Sequence, residues 1–259
     1  MRKSGILERH LNVLFPLPAV AFVVVMMVFP VLYTLFLSFS NWNLTSGMPF
    51  ALVGFRSYLR VLREPRFLDA LGRTFSFTAL ALTAETLLGL GLALLLNRKF
   101  RGKGFMKLIL LLPLVATPVA IGIVWNLFYD PTIGLANYVL SLFGLPRQAW
   151  VSGAATVIPS LALVDIWQWT PMITLIVLAG LAGLSPEPYE SARVDGATGP
   201  QIFFRITLPM IAPTLLTAMI LRAIDALKTF DIIYAMTGGG PGYASETLNV
   251  MAFKYSFEY

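Results

Sequence analysis

Six ionisable residues sit in segments otherwise too apolar for water, and they define what chemistry the chain could do: Glu85, Asp165, Arg222, Asp225, Lys228 and Asp231. An ionised side chain in hydrocarbon costs about 2.5–3.5 kcal/mol on insertion scales, so each needs a protein partner or a water-filled cavity. Carboxylates held this way can take a proton or a cation, and residues of opposite sign can pair. Arg222, Asp225, Lys228 and Asp231 recur at every third position with alternating sign, a spacing that allows pairing along one helix. For each of these charges, structural pairing and solute contact remain open readings. The run Trp167-Gln168-Trp169-Thr170-Pro171 adds two indoles and an amide, which could pack or could stack on sugar rings. Catalytic chemistry has no such support. There is no cysteine, the one histidine (His10) lies beside the basic N-terminus, and no nucleophile–histidine pair or metal cluster is present. The run from Thr237 to Gly242 lacks the Gly-Lys-Ser/Thr ending of a phosphate loop. No catalytic residue, metal or bound cofactor is expected.

The elements that must position these residues are helices in a bilayer. Of 259 residues, 57% are hydrophobic and only 12% charged, with a mean hydropathy of +0.76. Ordinary soluble domains carry about 25% charged residues, and a water-soluble fold could not hide this much apolar surface. Spans of about 20 apolar residues are expected at about 13–39, 74–96, 108–129, 156–183 and 209–233. All should be α-helical, because hydrocarbon offers no partner to open backbone groups. Pro113, Pro118 and Pro171 mark kinks. Residues 54–68 alternate apolar side chains with arginine and read as a short helix at the outer interface. The net charge of +6 reflects basic residues flanking the spans rather than a nucleic-acid partner. With the N-terminus inside, ten basic residues fall on the cytoplasmic side against seven outside, the Arg98–Lys107 cluster being the densest. The whole chain is then one all-α, polytopic membrane helix bundle, in contact with lipid.

Between the fourth and fifth spans, residues 184–208 have the makings of a rigid elbow. Ser185 and Pro186 suit a helix start, and Glu187 and Glu190 complement the positive end of its dipole. Gly196 and Gly199 should stop that helix, Pro200 can open another, and Pro209 marks the start of the fifth span. Ala192 and Ala197 permit close approach of a partner surface, and Tyr189 and Val194 offer apolar contact. Glu190, Arg193 and Asp195 can fix register by charge.

Glu190, Ala192, Gly196, Ile206, Leu208 and Pro209 fit the pattern E-x-A-x3-G-x9-I-x-L-P. This resembles the cytoplasmic EAA loop of permease subunits in ATP-binding-cassette importers, with Ser191 a mild departure where the motif's name has Ala. Further stretches resemble the sugar-importing branch that handles maltose-like oligosaccharides and glycerol phosphate. They are Leu112-Pro113 with Pro118, Trp167 to Pro171, Ala179-Gly180-Leu181 with Pro186, and Phe230 to Tyr234 leading to Thr237-Gly238-Gly239-Gly240-Pro241. The resemblance implies a type I importer in a bacterial or archaeal cytoplasmic membrane. Its parts would be two permeases, here a heterodimer with a paralogue, two ATPase subunits that bind the ATP, and an extracytoplasmic solute-binding protein. Glu190, Ser191, Ala192, Asp195, Gly196, Ile206, Leu208 and Pro209 would then couple to the ATPase. Trp167, Trp169, Arg222, Asp225, Lys228 and Asp231 are candidates for the translocation path. Residues 234–259 read as loop, so the sixth core helix that the resemblance implies is not expected within this sequence. The rival reading is an ion-gradient-driven secondary transporter using Glu85, Asp165 or Asp225 as ion sites; a non-transporting membrane scaffold is the third.

Overall fold

The computed structural model describes residues 14–42 and 49–258, which form helices and turns with no strand among them beyond one isolated bridge. His10 and the basic residues Arg2, Lys3 and Arg9 lie outside the described residues, as does the expected first residue of span one. The chain divides into two compact units, Met1–Leu68 and Asp69–Tyr259.

The first unit holds α1 (Leu17–Ser38) and α2 (Arg56–Leu62). Helix α1 has 22 residues, enough at 1.5 Å each for about 33 Å, and is apolar on every side, as a lipid-facing span requires. After it the chain turns through an antiparallel bridge between Ser40 and Leu52. Asn41 secures that turn by donating to Pro49 O at 3.3 Å and accepting from Ala51 N at 2.8 Å. Phe39, Phe55 and Tyr58 then pack ring on ring, with centroids 5.3–5.9 Å apart, and seat α2 as the short helix expected there.

The rest of the chain contains α3 (Pro65–Asn97), α4 (Lys103–Val115), α5 (Pro118–Phe128), α6 (Leu135–Leu142), α7 (Val157–Ala182), α8 (Glu187–Val194), α9 (Gly199–Leu227), α10 (Asp231–Thr237) and α11 (Leu248–Phe257). Several boundaries differ from expectation for identifiable reasons. Helix α3 starts well before residue 74, since Arg66, Asp69 and Arg73 interrupt hydropathy but not helical backbone. The expected third span is not a kinked helix: α4 and α5 meet at 101° across Ala116 and Thr117. Both linking residues are extended, with ψ of 146° and 145°. Proline 118 disfavours the helical conformation for the residue before it and supplies a ready-made first position for α5.

Helix α9 begins at Gly199, not at Pro209, and reaches Leu227 as a single rod. Pro209 cannot donate to the carbonyl of Arg205; the helix survives because residues Phe203–Thr207 widen into a π turn in which Leu208 N–H reaches back to Phe203 O. The rod stops before Asp231, which opens α10 instead of completing the charged row along the fifth span. Residues 248–257, expected as loop, are helical.

The buried interior falls into two apolar clusters. One gathers Phe77 of α3, Ile121 of α5, Leu161 and Val164 of α7, Ile232, Ile233 and Met236 of α10 and Val250 of α11. The other gathers Ala93 and Leu96 of α3, Ile173, Val177 and Leu181 of α7, and Ile211 and Ala218 of α9. Glycine lets the helices of the second cluster close up: a Cβ on Gly89 would come within 2.8 Å of the Ile173 side chain, and one on Gly180 within 2.9 Å of Thr214. Along both α3 and α7, buried polar residues lie between the two clusters: Glu85 on the first, Asp165 and Gln168 on the second.

Candidate functional site

That polar layer is where the lone charges meet. Arg222 on α9, 1% exposed, lies between Glu85 of α3 and Asp165 of α7, themselves 0% and 1% exposed. Its Nε is 2.7 Å from Glu85 Oε2, an ion-pair contact without hydrogen-bond alignment, and its terminal nitrogen Nη2 donates to Glu85 Oε1 at 3.0 Å. The same Nη2 is hydrogen-bonded and ion-paired to Asp165 Oδ2. One guanidinium thus ties three long helices together with a fork of charge-assisted contacts that lysine could not reproduce. The indole of Trp169 lies against it, with the guanidinium carbon 5.3 Å from the ring centroid.

Above the pair opens a cavity of about 370 Å³ lined by Pro118, Asp165, Gln168, Trp169, Arg222, Asp225, Lys228, Thr229, Phe230, Asp231 and Ile232. Pro118 lines it because the sharp α4–α5 break swings the start of α5 inward. Asp231 and Ile232 line it because the chain turns after Leu227 and restarts as α10. Asp225 and Lys228 pair with each other at 3.1 Å along the last turn of α9. Gln168 is 2% exposed, and its carbonyl oxygen has no hydrogen-bond partner among the described residues. A buried acceptor of this kind costs about 1–3 kcal/mol unless something satisfies it. The cavity therefore offers indole and phenyl faces, carboxylates, and an unengaged amide oxygen within one space.

The structure thus brings together Trp169, Arg222, Asp225, Lys228 and Asp231 of the sequence candidates. Trp167 is elsewhere. Two residues before Trp169 on a helix, it lies on the opposite side, beside Leu88, Leu92, Ile109 and Pro113, with its ring 5.6 Å from that of Trp125. Gln168, Phe230 and Pro118 were not singled out as lining residues by sequence. The signal for Glu85 and Asp165 pairing with Arg222 was available: isolated intramembrane charges of opposite sign on separate spans.

The elbow is built from α8, a left-handed glycine and the start of α9. Helix α8 ends as Asp195 N–H bonds Ser191 O and Ala197 N–H bonds Ala192 O, with Gly196 at φ +76°, the conformation that glycine alone adopts without strain. Thr198 and Gln201 then form a capping box at the start of α9, Gln201 Oε1 accepting from Thr198 N at 2.8 Å. The expected hydroxyl cap at the front of α8 is weak: Ser185 Oγ lies 3.5 Å from Glu187 N, and Pro186 occupies the cap position. Glu190, Ser191, Asp195, Gly196 and Pro209 are exposed, Ile206 and Leu208 half-buried, and Ala192 buried. Tyr189, Glu190 and Arg193 line a groove of about 380 Å³ with Leu94, Asn97, Leu181 and Thr207.

A bent helix pair, a charge-bridged bundle and an exposed elbow between two long apolar helices suit a polytopic permease. The chain belongs to the family described as binding-protein-dependent transport system inner membrane component, which matches residues 85–256. It is therefore a multi-pass permease of the ATP-binding-cassette class and not an enzyme, and the ion-gradient alternative finds no support. Among its relatives, it is 38% identical over 248 residues to the trehalose/maltose transport system permease protein MalF of Thermococcus litoralis, covering 96% of this chain and 84% of that one. It is 36% identical over 241 residues to the sulfoquinovosyl glycerol transport system permease protein SmoG of Agrobacterium fabrum, covering 93% and 78%. The fold is shared with a crystal structure of a bacterial ABC transporter involved in import of the acidic polysaccharide alginate. There the TM-score is 0.82 at 23% identity, over 97% of this chain and 86% of the other.

Proposed function

We propose that this permease carries a sugar or sugar-like solute through the cavity lined by Trp169, delivered by an external solute-binding protein and powered by ATPase subunits docked on the elbow at residues 184–208. The observation that carries the reading is the Gln168 carbonyl oxygen, buried and unpartnered at the wall of a cavity that also presents Trp169, Phe230 and Asp231. A polyhydroxylated ring meets such a wall well: its C–H face stacks on aromatic rings, and its hydroxyls donate to amide and carboxylate oxygens. The relatives named for trehalose/maltose and sulfoquinovosyl glycerol transport support this class of cargo. The elbow's exposed Glu190 and Asp195 and its fixed glycine turn suit a surface that an ATPase grips, and the family's dependence on a binding protein supports the external partner. A second permease, a paralogue of this chain, completes the path.

Trp167 provides the internal control. In proteoliposomes holding the assembled transporter, Trp169→Ala should cut sugar uptake severalfold, while Trp167→Ala, whose indole lies outside the cavity, should leave it near wild type. Equal effects of the two substitutions would count against this cavity as the path.

A further inference from the structure

Helix α6 is amphipathic in the unusual direction. Leu135, Tyr138, Val139 and Leu142, at the i, i+3, i+4, i+7 spacing of one helical face, are all exposed, whereas Asn137 on the opposite side is 4% exposed. The inward side carries Asn137 between the part-buried Ala136 and Leu140, and the large apolar side chains face away. Nor is this a loosely held loop. The Asn137 amide donates to Gln148 O at 3.1 Å and accepts from Gln148 N at 3.0 Å and Trp150 Nε1 at 2.9 Å. Trp150 stacks on Tyr129 at 4.8 Å, and the Tyr129 hydroxyl donates to Ser160 O on α7 at 3.1 Å. A chain of specific contacts therefore fixes α6 with its apolar face outward.

What covers that face follows from its surroundings. Residues 131–146 contain no charged side chain. Ile133 and Phe143, flanking the helix, are 84% and 76% exposed. Helix α5, in the bent half-span, also exposes apolar side chains, Ile123, Val124, Leu127 and Phe128, and only the short loop with Asp130 and Thr132 separates them in sequence from Ile133 and α6. Eight residues rise only about 12 Å, too short to cross a bilayer. An interfacial helix normally sends its polar side to water; here the protein satisfies Asn137, and the outward face is apolar apart from Ser141, whose hydroxyl donates to Tyr138 O at 2.6 Å.

We infer that α6 is a membrane anchor: it lies in the bilayer interface at the edge where α5 ends, with Ile133, Tyr138, Leu142 and Phe143 in the acyl boundary, and holds that rim of the permease at fixed depth. The occupant of the face is lipid, not a protein subunit.

The chain has no cysteine, so single-site labelling needs no background substitution. Nitroxide at Leu142→Cys and Phe143→Cys in the reconstituted transporter should collide more often with oxygen than with a water-soluble nickel chelate, as should a label at Leu127→Cys on α5. Arg147→Cys should show the reverse. Nickel dominating at 142 and 143 would place the helix in water and overturn the inference. Low collision with both reagents would mean a protein covers it, which would overturn the inference equally. If labelling disturbs assembly, the unlabelled thiols still answer the question. A thiol in hydrocarbon is held in its unreactive neutral form, so Phe143→Cys should react severalfold more slowly with a membrane-impermeant maleimide than Arg147→Cys; equal rates would refute the anchor.

Discussion

Replacing Arg222 with methionine keeps most of its length and removes its charge, leaving Glu85 and Asp165 facing each other at 0% and 1% exposure with no cation between them. Breaking a buried pair by deleting one partner typically costs about 3–5 kcal/mol, because an uncompensated charge stays in a low-dielectric interior. Here two carboxylates lose the same partner, so Arg222→Met should fall at the upper end, about 4–5 kcal/mol. A domain with about 5–15 kcal/mol of stability would lose a large share of it. The triple replacement Glu85→Gln, Asp165→Asn and Arg222→Met removes the charges together, and such swaps are often neutral or stabilising. It should return to within about 1 kcal/mol of wild type. The assay is denaturant unfolding of the purified protein in detergent, followed through its five tryptophans. A single variant within about 0.5 kcal/mol of wild type would show that the bridge contributes little. A triple variant as unstable as the single one would show that packing, not unpaired charge, governs the site.

Two further outcomes follow from local geometry. Gly196→Val forces a β-branched side chain to φ +76°, although no atom lies within 4 Å of where its Cβ would stand. The turn should relax to another conformation, so the assembled complex should keep hydrolysing ATP while uptake per ATP falls; unchanged coupling would refute the turn's mechanical role. In the loop after α5, Asp130 accepts from Thr132 N at 2.8 Å and Ile133 N at 3.0 Å, and these backbone donors hold its carboxyl below the usual range. Because the folded value is depressed, the carboxylate's support of this turn is complete above the unfolded value near 3.9 and lost as pH falls through the folded one. Exchange protection at Thr132 and Ile133, measured against the intrinsic rate at each pH, should fall on acidification below about pH 4, and Asp130→Asn should abolish that acid-linked loss.

Most of the membrane architecture was legible in the sequence because hydropathy reports directly on burial in lipid. Helices long and apolar enough to cross a membrane, Leu17–Ser38, Pro65–Asn97 and Val157–Ala182, lie over three of the apolar runs. The misreadings arose where backbone conformation depends on something hydropathy does not carry. Proline 209 looked like a helix start, but a π turn just before it lets α9 run through. Prolines 113 and 118 suggested bends, yet only the extended pair Ala116–Thr117 turns α4 and α5 into separate helices. The tail from residue 248 is helical despite lacking a long apolar run. At the site, the lone charges announced that partners must exist; which ones met depended on the relative rotation of α3, α7 and α9, a tertiary property. Trp167 and Trp169 show the limit of composition most plainly: identical side chains two residues apart, sent to different surroundings by the 200° between them.

Helix α9 has a mechanical corollary. It starts at the Thr198–Gln201 cap and carries Arg222 some 23 residues along the same rod, about 35 Å at helical rise. An axially stiff piston of that length delivers a push at its base to the guanidinium almost undiminished. Its softest segment is the π turn at 203–207, close to the base, where a wider coil can yield by rotation. Thrust would reach the charged layer, while twist would be shed before it got there.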